Sequence, residues 1–175
     1  MNLTHSKIAA EKIRLLVLDV DGVLTDGSIY YSNSGDELKA FNIQDGLGIK
    51  LLQVADIEVA IITGRSSSLL SRRTKELGID RVIQGREDKL TALHELLADS
   101  AYELDEIAYM GDDLPDLAVI RRVGLGMTVA NASPTVAEHA CWQSSRDGGC
   151  GAVREAAEFI LKAQNKFAQA IEPFL

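Results

Sequence analysis

Cysteine, basic charge and long apolar runs are all scarce in this 175-residue sequence, and each scarcity argues against a class of protein. The two cysteines, Cys141 and Cys150, match no zinc or redox spacing and are too few for a disulfide scaffold. Lys and Arg number 18 against 26 Asp and Glu, which gives a formal net charge of −8. A nucleic-acid-binding protein needs a basic face that displaces counterions, so we expect no nucleic-acid partner.

No apolar run approaches the ~20 residues that a membrane-spanning helix needs, and residues 1–12 lack the apolar region of a signal peptide. Together with the few cysteines, these absences predict a cytoplasmic protein without a membrane partner. The apolar fraction of 46% is sufficient for a buried core, and no repeat or low-complexity linker divides the chain. We therefore expect one domain over residues 1–175.

Extended and helical patterns alternate along the chain. Strands are predicted over eight segments: 13–20, 28–31, 37–43, 58–62, 81–84, 106–110, 125–129 and 141–143. Helices are predicted over six segments: 45–55, 66–77, 88–98, 115–123, 134–139 and 152–167. This alternation predicts an α/β fold with a doubly wound parallel sheet. A turn-rich segment joins the second and third strands into a β-hairpin flap over about 28–43, with no room for a large cap domain, and the C-terminal helix and tail cover about 152–175.

Polar and charged side chains follow the predicted strands at the end where a parallel sheet binds its ligands. The residues at these strand ends are Asp19, Asp21, Thr63, Gly64, Arg65, Lys89, Asp112 and Asp113. Because the carboxyl ends of parallel strands lie along one edge, we expect these side chains to converge on one pocket.

Asp19 and Asp21 are two positions apart on an extended chain, so both side chains can face one pocket. Carboxylates this close repel each other unless a cation lies between them or one binds a proton. Mg²⁺ is the expected cation, since it tolerates few protein ligands together with phosphate and water. One carboxylate can then attack phosphorus, the other can protonate the leaving alcohol and activate water, and a lysine can neutralise phosphoryl charge.

Each short motif also has an ordinary structural interpretation. Asp-x-Asp-Gly is common in turns, Thr63 can cap a helix, and Lys89 alone is typical of a solvated helix. Asp112, Asp113 and Asp116 would each favour the positive N-terminus of the next helix. The occurrence of all these motifs at strand ends, in this order, favours the catalytic interpretation.

The sequence resembles the phosphatases of the haloacid dehalogenase superfamily in four features: LDVDGVLTDG (18–27), IITGR (61–65), Lys89 and GDDLPD (111–116). The resemblance implies a Rossmann-like fold and an aspartyl-phosphate intermediate. It implies these catalytic roles: Asp19 as nucleophile, Asp21 as general acid and base, Thr63 as the hydroxyl of the second motif, and Lys89 as the motif lysine. It further implies Mg²⁺ held by the Asp19 carboxylate, the Asp21 backbone carbonyl and Asp112, with Asp113 as a supporting residue.

Within that superfamily, the chain resembles the 3-deoxy-D-manno-octulosonate 8-phosphate (KDO 8-phosphate) phosphatase family of lipopolysaccharide synthesis. The matching segments are DGVLTDG (21–27), FNIQDGLGIKLL (41–52), EVAIITGR (58–65) and GGCGAVRE (148–155). This resemblance implies a sugar-acid phosphate substrate that contacts Asp21, Asn42, Ile43, Gln44, Asp45, Gly46, Lys50, Arg65, Arg73 and Lys89. The cations among them suit a ligand with both a phosphate and a carboxylate.

Two positions depart from the family pattern, and a third is ambiguous. The family commonly has Arg at the position of Gln44, and Lys or Arg at that of Cys150. Both departures remove positive charge near the expected ligand, so the identity of the sugar acid stays open. Helical spacing from Arg65 favours Arg72 over Arg73, whereas the resemblance favours Arg73.

The chain has no cap domain to close the expected site, so a neighbouring subunit is the expected lid. The hairpin is apolar enough to pack between chains through Ile29, Tyr30, Tyr31 and Phe41. The resemblance implies a homotetramer in which hairpins form the contact and the C-terminal segment reaches an adjacent site. The alternative is that the tyrosines cover the sheet of their own subunit.

Other functions fit the sequence less well. The same chemistry on a nine-carbon sugar-acid phosphate is the nearest alternative. A catalytically silent interaction domain would be expected to have lost one of Asp19, Asp21, Lys89 and Asp112. A receiver domain would leave Asp21 and the 63–65 motif unexplained, and a phosphomutase would need a cap to exclude water.

Overall fold

A six-stranded parallel sheet forms the centre of the protein, which the computed structural model describes over residues 3–175. The strands are β1 Leu15–Leu18, β2 Tyr30–Tyr31, β3 Glu37–Leu38, β4 Glu58–Ile62, β5 Val82–Ile83, β6 Ile107–Gly111, β7 Leu125–Thr128 and β8 Trp142–Gln143. The helices are α1 Leu3–Ala10, α2 Ile43–Val54, α3 Ser68–Leu77, α4 Lys89–Leu97, α5 Leu114–Ile120, α6 Pro134–His139, α7 Ala152–Ala163 and α8 Phe167–Ile171. The sheet order is β5-β4-β1-β6-β7-β8, and every neighbouring pair is parallel.

Two hydrophobic cores lie on either side of the sheet because its central strands are apolar at successive positions. In β1, Leu16 and Leu18 pack into one core, whereas Leu15 and Val17 pack into the other. The first core includes buried residues of α2 and α7, and the second includes buried residues of α4, α5 and α6. This alternation is expected of a strand that is buried on both faces. The predicted doubly wound α/β fold is therefore confirmed, and no large cap domain occurs within residues 3–175.

A small antiparallel hairpin stands apart from the main sheet. Its strands β2 and β3 pair Tyr30 with Leu38 and Tyr31 with Glu37. The hairpin was expected, but its strands are shorter than the predicted segments 28–31 and 37–43. The turn between them is held by hydrogen bonds from Ser32 and Ser34 to the Asp36 carboxylate.

Several predicted elements have the predicted ends, and the others shift at one end or both. β4 and α6 have the predicted bounds, and α3 ends as expected at Gly78, whose φ is +67°. The helix predicted over 45–55 begins earlier, at Ile43, because the Asn42 side chain accepts a hydrogen bond from the Gln44 N–H at 2.8 Å and caps it.

At the chain ends the structure differs from the prediction in one helix and adds another. The terminal helix predicted over 152–167 stops at Ala163, since Asn165 adopts a left-handed backbone with φ +56°, and α8 is a separate helix. The N-terminal helix α1 was not predicted at all. None of the helices over residues 3–175 combines the length and the apolar character needed to cross a membrane.

Candidate active site

The carboxyl ends of the three neighbouring strands β4, β1 and β6 open into one pocket of about 590 Å³. Its lining residues are Asp19, Asp21, Thr63, Gly64, Arg65, Glu87, Lys89 and Pro115. The two aspartates follow β1, and Thr63 to Arg65 follow β4. Six of the eight residues predicted to converge therefore line this pocket, whereas Asp112 and Asp113 are not among its lining residues.

Asp19 and Lys89 form a buried ion pair at the base of this pocket. Lys89 Nζ lies 2.9 Å from Asp19 Oδ2 and 2.6 Å from Asp116 Oδ1, and all three side chains are buried. Lys89 is the first residue of α4, which the Asp88 side chain caps by accepting the Thr91 N–H at 3.1 Å. Burial opposes the charged ammonium, but the two carboxylates outweigh it and raise the pKa of Lys89.

Asp112 joins Asp19 and Asp116 in a cluster of carboxylates at the end of β6. One oxygen of each carboxylate lies within 4.8 Å of the others. Burial, followed by the charge of Asp116, raises the pKa of Asp19 to about 7 and that of Asp112 to about 6. Oxygen donors at this spacing, with one ammonium to balance three acids, suit a hard divalent cation.

Gly22 allows Asp112 to approach the end of β1. Its φ of +92° lies in the left-handed region, and a Cβ at this position would lie 2.1 Å from Asp112 Oδ2. Any side chain at position 22 would therefore displace the carboxylate as well as strain the backbone. The glycine of the LDVDG motif thus has a steric role in the carboxylate cluster.

Asp116 is the site residue whose contacts the sequence analysis did not anticipate. Its carboxylate accepts hydrogen bonds from the Tyr109 hydroxyl at 2.5 Å and from the N–H groups of Asp112 and Asp113 at 3.1 and 3.3 Å. Burial and the surrounding carboxylates raise the pKa of Tyr109, so the phenol keeps its proton and donates. The signal in the sequence is the third acid of GDDLPD, whose position also favours a helix N-terminus.

Asp113 does not join the carboxylate cluster. It is exposed, and it is the N-cap of α5, in a capping box with Asp116. The structure therefore gives Asp113 the helix-capping contacts that the ordinary interpretation anticipated.

Asp21 faces two cations that connect it to the hairpin. Lys39 Nζ donates to Asp21 Oδ1, and Arg65 Nε lies 3.7 Å from Asp21 Oδ2. Both cations also approach Glu37 of β3, at 3.9 Å from Lys39 and 3.2 Å from Arg65. Lys39 is buried despite its charge, and no motif in the sequence had singled it out.

Thr63 is buried at the end of β4 and lines the pocket. Its N–H donates to the Ile83 carbonyl at 3.0 Å, and its own carbonyl accepts the Arg86 N–H at 3.1 Å. These backbone hydrogen bonds hold Thr63 at the carboxyl end of the sheet. Its hydroxyl accepts the Arg65 N–H at 3.4 Å and can still donate to a phosphoryl oxygen.

The segment from Asn42 to Gln44 begins α2 and touches the loop before α7. The Asn42 amide donates to the Gly149 carbonyl at 3.1 Å, in addition to capping α2. The exposed Gln44 accepts a hydrogen bond from Arg146 Nη1 at 3.3 Å, and Ile43 is exposed. Arg146 thus brings a positive charge beside the neutral Gln44.

Asp45 is buried and caps α7 rather than facing the pocket. Its carboxylate accepts the Gly151 N–H at 3.3 Å and the Arg154 N–H at 2.8 Å. Burial raises the pKa of Asp45, and the backbone hydrogen bonds partly oppose that shift. Its contacts are those of a helix cap supplied by a neighbouring helix.

Arg73 is better placed than Arg72 for a role near the hairpin. Its guanidinium lies 5.9 Å from the centre of the Phe41 ring, and a Cβ at Gly46 would lie 2.4 Å from Arg73 Nη2. The side chain of Arg73 is 21% exposed, whereas that of Arg72 is 81% exposed. The spacing argument for Arg72 assumed a helical face shared with Arg65, but Arg65 precedes α3, and both arginines line one groove.

Lys50 lies on α2 and donates to the Leu77 carbonyl at the end of α3, at 2.5 Å. Within residues 3–175, the lining of the Asp19 pocket includes neither Lys50, nor Arg73, nor the segment 42–46. The structure therefore brings together the residues implied for phosphoryl transfer. It places most of the residues implied for sugar binding on α2 and α3, outside this pocket.

Comparisons with known proteins agree with this arrangement. The haloacid dehalogenase-like hydrolase family matches residues 81–151. A 3-deoxy-D-manno-octulosonate 8-phosphate phosphatase, KdsC, of Yersinia pestis is 51% identical over 92% of this chain and 86% of its own length.

Solved structures extend the likeness to the whole fold. The phosphatase of the same name from Moraxella catarrhalis, in complex with magnesium ion, phosphate ion and a KDO molecule, is 47% identical with a TM-score of 0.97, over 99% of this chain and all of that one. The cobalt-bound Haemophilus influenzae deoxy-D-mannose-octulosonate 8-phosphate phosphatase is 40% identical with a TM-score of 0.89, over 93% and 98% of the two chains. This chain therefore belongs to the 3-deoxy-D-manno-octulosonate 8-phosphate phosphatase family of the haloacid dehalogenase-like hydrolases.

Proposed function

We propose that this chain is a Mg²⁺-dependent phosphatase that hydrolyses KDO 8-phosphate to KDO and phosphate through an aspartyl-phosphate on Asp19. The observation that carries the proposal is the buried Lys89 ammonium, which contacts Asp19 and Asp116 beside the carboxylate of Asp112. Family membership makes the chain a hydrolase of phosphoric monoesters. The relatives' names and the KDO-containing structure support the choice of substrate.

The carboxylate cluster fits a resident Mg²⁺. The Asp19 and Asp112 carboxylates and the Asp21 backbone carbonyl would hold the ion, and Asp116 would balance Lys89 behind them. When bound, the ion supplies positive charge that polarises the phosphoryl group. The raised pKa values of Asp19 and Asp112 support a bound cation, because the buried Asp19 and the half-buried Asp112 lie beside Asp116 with only one ammonium nearby.

In the first step, a carboxylate oxygen of Asp19 attacks phosphorus and the bond from phosphorus to the sugar oxygen breaks. Asp21 donates its proton to the departing oxygen, so the sugar acid leaves as the neutral alcohol. Lys89 and the Thr63 hydroxyl bind the phosphoryl oxygens and oppose the charge that develops on them. Both groups line the same pocket as Asp19.

In the second step, Asp21 removes a proton from a water molecule whose oxygen attacks the phosphorus of the aspartyl-phosphate. The bond between phosphorus and Asp19 breaks, which frees the carboxylate and releases inorganic phosphate. Asp21 is again protonated and ready for the next substrate. Two easier steps thus replace one direct attack of water on the ester.

The sugar-acid part of the substrate would contact the cations around the hairpin. Arg65 lines the pocket. A separate groove of about 270 Å³ is lined by three cations, Lys39, Arg72 and Arg73, together with Phe41. Because Gln44 and Cys150 are neutral, a nine-carbon sugar-acid phosphate is a second candidate substrate. Arg146, which donates to Gln44, favours the first candidate because it returns a positive charge to that position.

The proposal includes a homotetramer whose hairpins complete neighbouring sites. Apolar side chains of the hairpin and the start of α2 are exposed in the single chain: Ile29, Tyr30, Tyr31, Leu38 and Ile43. An exposed apolar cluster of this kind is typical of a protein contact. A cytoplasmic role in lipopolysaccharide synthesis is part of the same proposal and agrees with two free cysteines.

A substrate panel tests this function. Phosphate release would be measured for KDO 8-phosphate, a nine-carbon sugar-acid phosphate and glucose 6-phosphate, each with MgCl₂ and with EDTA. We expect Mg²⁺-dependent release that is fastest with KDO 8-phosphate and lost in Asp19→Asn, while the surface variant Asp105→Asn keeps its activity. Equal release from all three esters would reject the substrate, and an active Asp19→Asn would reject the nucleophile.

A further inference from the structure

Lys39 is a buried cation that the proposed mechanism does not yet use. It follows β3 directly, and its side chain is only 4% exposed. A buried ammonium is costly unless a carboxylate compensates it. Asp21 provides that carboxylate, and Glu37 lies further away at 3.9 Å.

The contacts of the two Asp21 oxygens differ. Oδ1 accepts the Lys39 ammonium, which has donors only and cannot accept a proton in return. Oδ2 lies 3.7 Å from Arg65 Nε, which is beyond hydrogen-bond range. The Lys39 ammonium therefore binds Oδ1 and leaves Oδ2 available for proton transfer to or from a substrate or water in the pocket.

We propose that Lys39 is a positioning residue that fixes the orientation of the Asp21 carboxylate and assigns Oδ2 to the proton transfers. This inference rests on the proposed function, in which Asp21 is the general acid and base. It adds a residue of the hairpin to the acid–base step, although the hairpin lies outside the central sheet. A carboxylate free to rotate would spend less time aligned with the leaving oxygen.

A second contact joins the hairpin to the site. Glu37 of β3 accepts Arg65 Nη2 at 3.2 Å, so the strand end that carries Arg65 is joined to the hairpin beside Lys39. Asp21 thus lies between one cation from the hairpin and one from the end of β4. A displacement of the hairpin would move Lys39 away from Asp21 and impair the acid–base step.

The test compares two esters that differ in their need for a general acid. The p-nitrophenolate ion leaves without a proton, whereas the alkoxide of KDO 8-phosphate needs one. The value of kcat/KM reports only steps up to loss of the alcohol. We expect Lys39→Met to lower kcat/KM for KDO 8-phosphate about 10²-fold and that for p-nitrophenyl phosphate less than about threefold.

Two further variants and a control keep the test decisive. Lys39→Gln, which retains a polar side chain, should show the same discrimination if Lys39→Met folds poorly. Lys39→Met should add little loss to Asp21→Asn, because the lysine acts through that carboxylate. Lys12→Met, which removes an exposed lysine paired with Asp105 at 3.2 Å, is the matched control and should leave both esters unaffected.

Equal losses with both esters would overturn the inference and give Lys39 a role in folding or phosphate binding. Additive losses with Asp21→Asn would overturn it as well and give Lys39 a role in binding the sugar acid, since it also lines the groove that contains Arg73. Unchanged rates in both Lys39 variants would overturn it as well. If the unmodified chain hydrolyses neither ester, the proposed function fails. If it hydrolyses both and the Lys39 variants do not discriminate between them, this inference alone fails.

Discussion

Lys89 Nζ lies 2.6 Å from Asp116 Oδ1, in a buried ion pair directly behind Asp19. The lysine begins α4 and the aspartate lies in the first turn of α5, so the pair joins two helices on the same side of the sheet. With this partner, Lys89 can contact Asp19 at 2.9 Å and stay charged in a buried setting. The ion pair therefore contributes both to the stability of the fold and to the positive charge beside Asp19.

Replacement of Asp116 by Leu should lower the free energy of unfolding by about 3–5 kcal/mol. The substitution removes the acceptor of the buried Tyr109 hydroxyl and one of the two carboxylates that compensate the Lys89 ammonium. Urea denaturation in EDTA measures the loss. Asp105→Leu, which breaks an exposed pair with Lys12 at 3.2 Å, should cost less than about 1 kcal/mol. Similar losses in the two variants would contradict the structural role of Asp116.

Mg²⁺ should stabilise the protein more at neutral than at acidic pH. Burial and the charge of Asp116 raise the pKa of Asp19 to about 7 and that of Asp112 to about 6 in the metal-free fold. Between about pH 4 and 7, these groups hold more protons in the folded than in the unfolded chain, so the metal-free stability falls as pH rises. Mg²⁺ needs the ionised carboxylates, so its binding improves over the same range.

The measurement is the rise in Tm on addition of saturating MgCl₂, taken at about pH 5.5 and about pH 7.5. We expect the larger rise at the higher pH, and a smaller one at both values in Asp112→Asn. A rise that is independent of pH, or unchanged in that variant, would place the metal elsewhere. Asp105→Asn is the control for loss of a carboxylate outside the cluster.

The order of motifs along the sequence was sufficient to predict the parallel sheet and the end of it at which the candidate site lies. β1 and β4 are short apolar segments that end in polar residues, so their strand character and their ends are both local properties. Parallel topology then brings Asp19, Thr63 and Lys89 together without knowledge of any tertiary contact. The pocket they line is the outcome of that rule.

Lys39 and Asp116 show why the rest could not be predicted. Lys39 contacts an aspartate 18 positions earlier, and its local pattern resembles that of any solvated strand residue. The helix-start interpretation of Asp116 was correct but incomplete, since its second oxygen pairs with a lysine 27 positions away. The break after Ala163 depends on a left-handed Asn165, a conformation that composition alone does not predict.

Arg73→Met should raise KM for KDO 8-phosphate about 10–100-fold, the effect of losing one charged hydrogen bond to an anion. Arg73 lies against Phe41 and Gly46, beside the pocket, with 21% of its side chain exposed. Arg121→Met is the control, because it removes an exposed arginine that lines neither the pocket nor the groove of Arg73. An equal rise in KM for both variants would show that overall charge, rather than Arg73 itself, binds the substrate.

Charge placed on the hairpin should dissociate the proposed tetramer. Tyr31 and Leu38 are 69% and 61% exposed, so Tyr31→Glu together with Leu38→Glu should change the free energy of unfolding of the single chain little. In a tetramer, the same double variant places four or more like charges in one contact. Light scattering should report tetramers for the unmodified protein and monomers for this variant. Ile8→Glu, which changes an exposed residue of α1, should remain tetrameric. A monomeric unmodified protein would reject the shared lid.

Asp45→Ala should destabilise the fold by about 2–3 kcal/mol, because α7 loses the carboxylate that accepts the Gly151 and Arg154 N–H groups at its start. Gly151 offers no side chain to replace it. Urea denaturation should show this loss, with an intermediate effect in Asp45→Asn and almost none in Gln44→Ala, whose side chain is exposed. The kcat/KM of folded Asp45→Ala, measured at low temperature, separates the two roles that Asp45 has been given. If Asp45 is only a helix cap, the kcat/KM of the variant stays within about threefold of that of the unmodified enzyme, since loss of a helix cap acts on folding. If Asp45 binds substrate, its replacement raises KM and leaves the unfolding free energy unchanged.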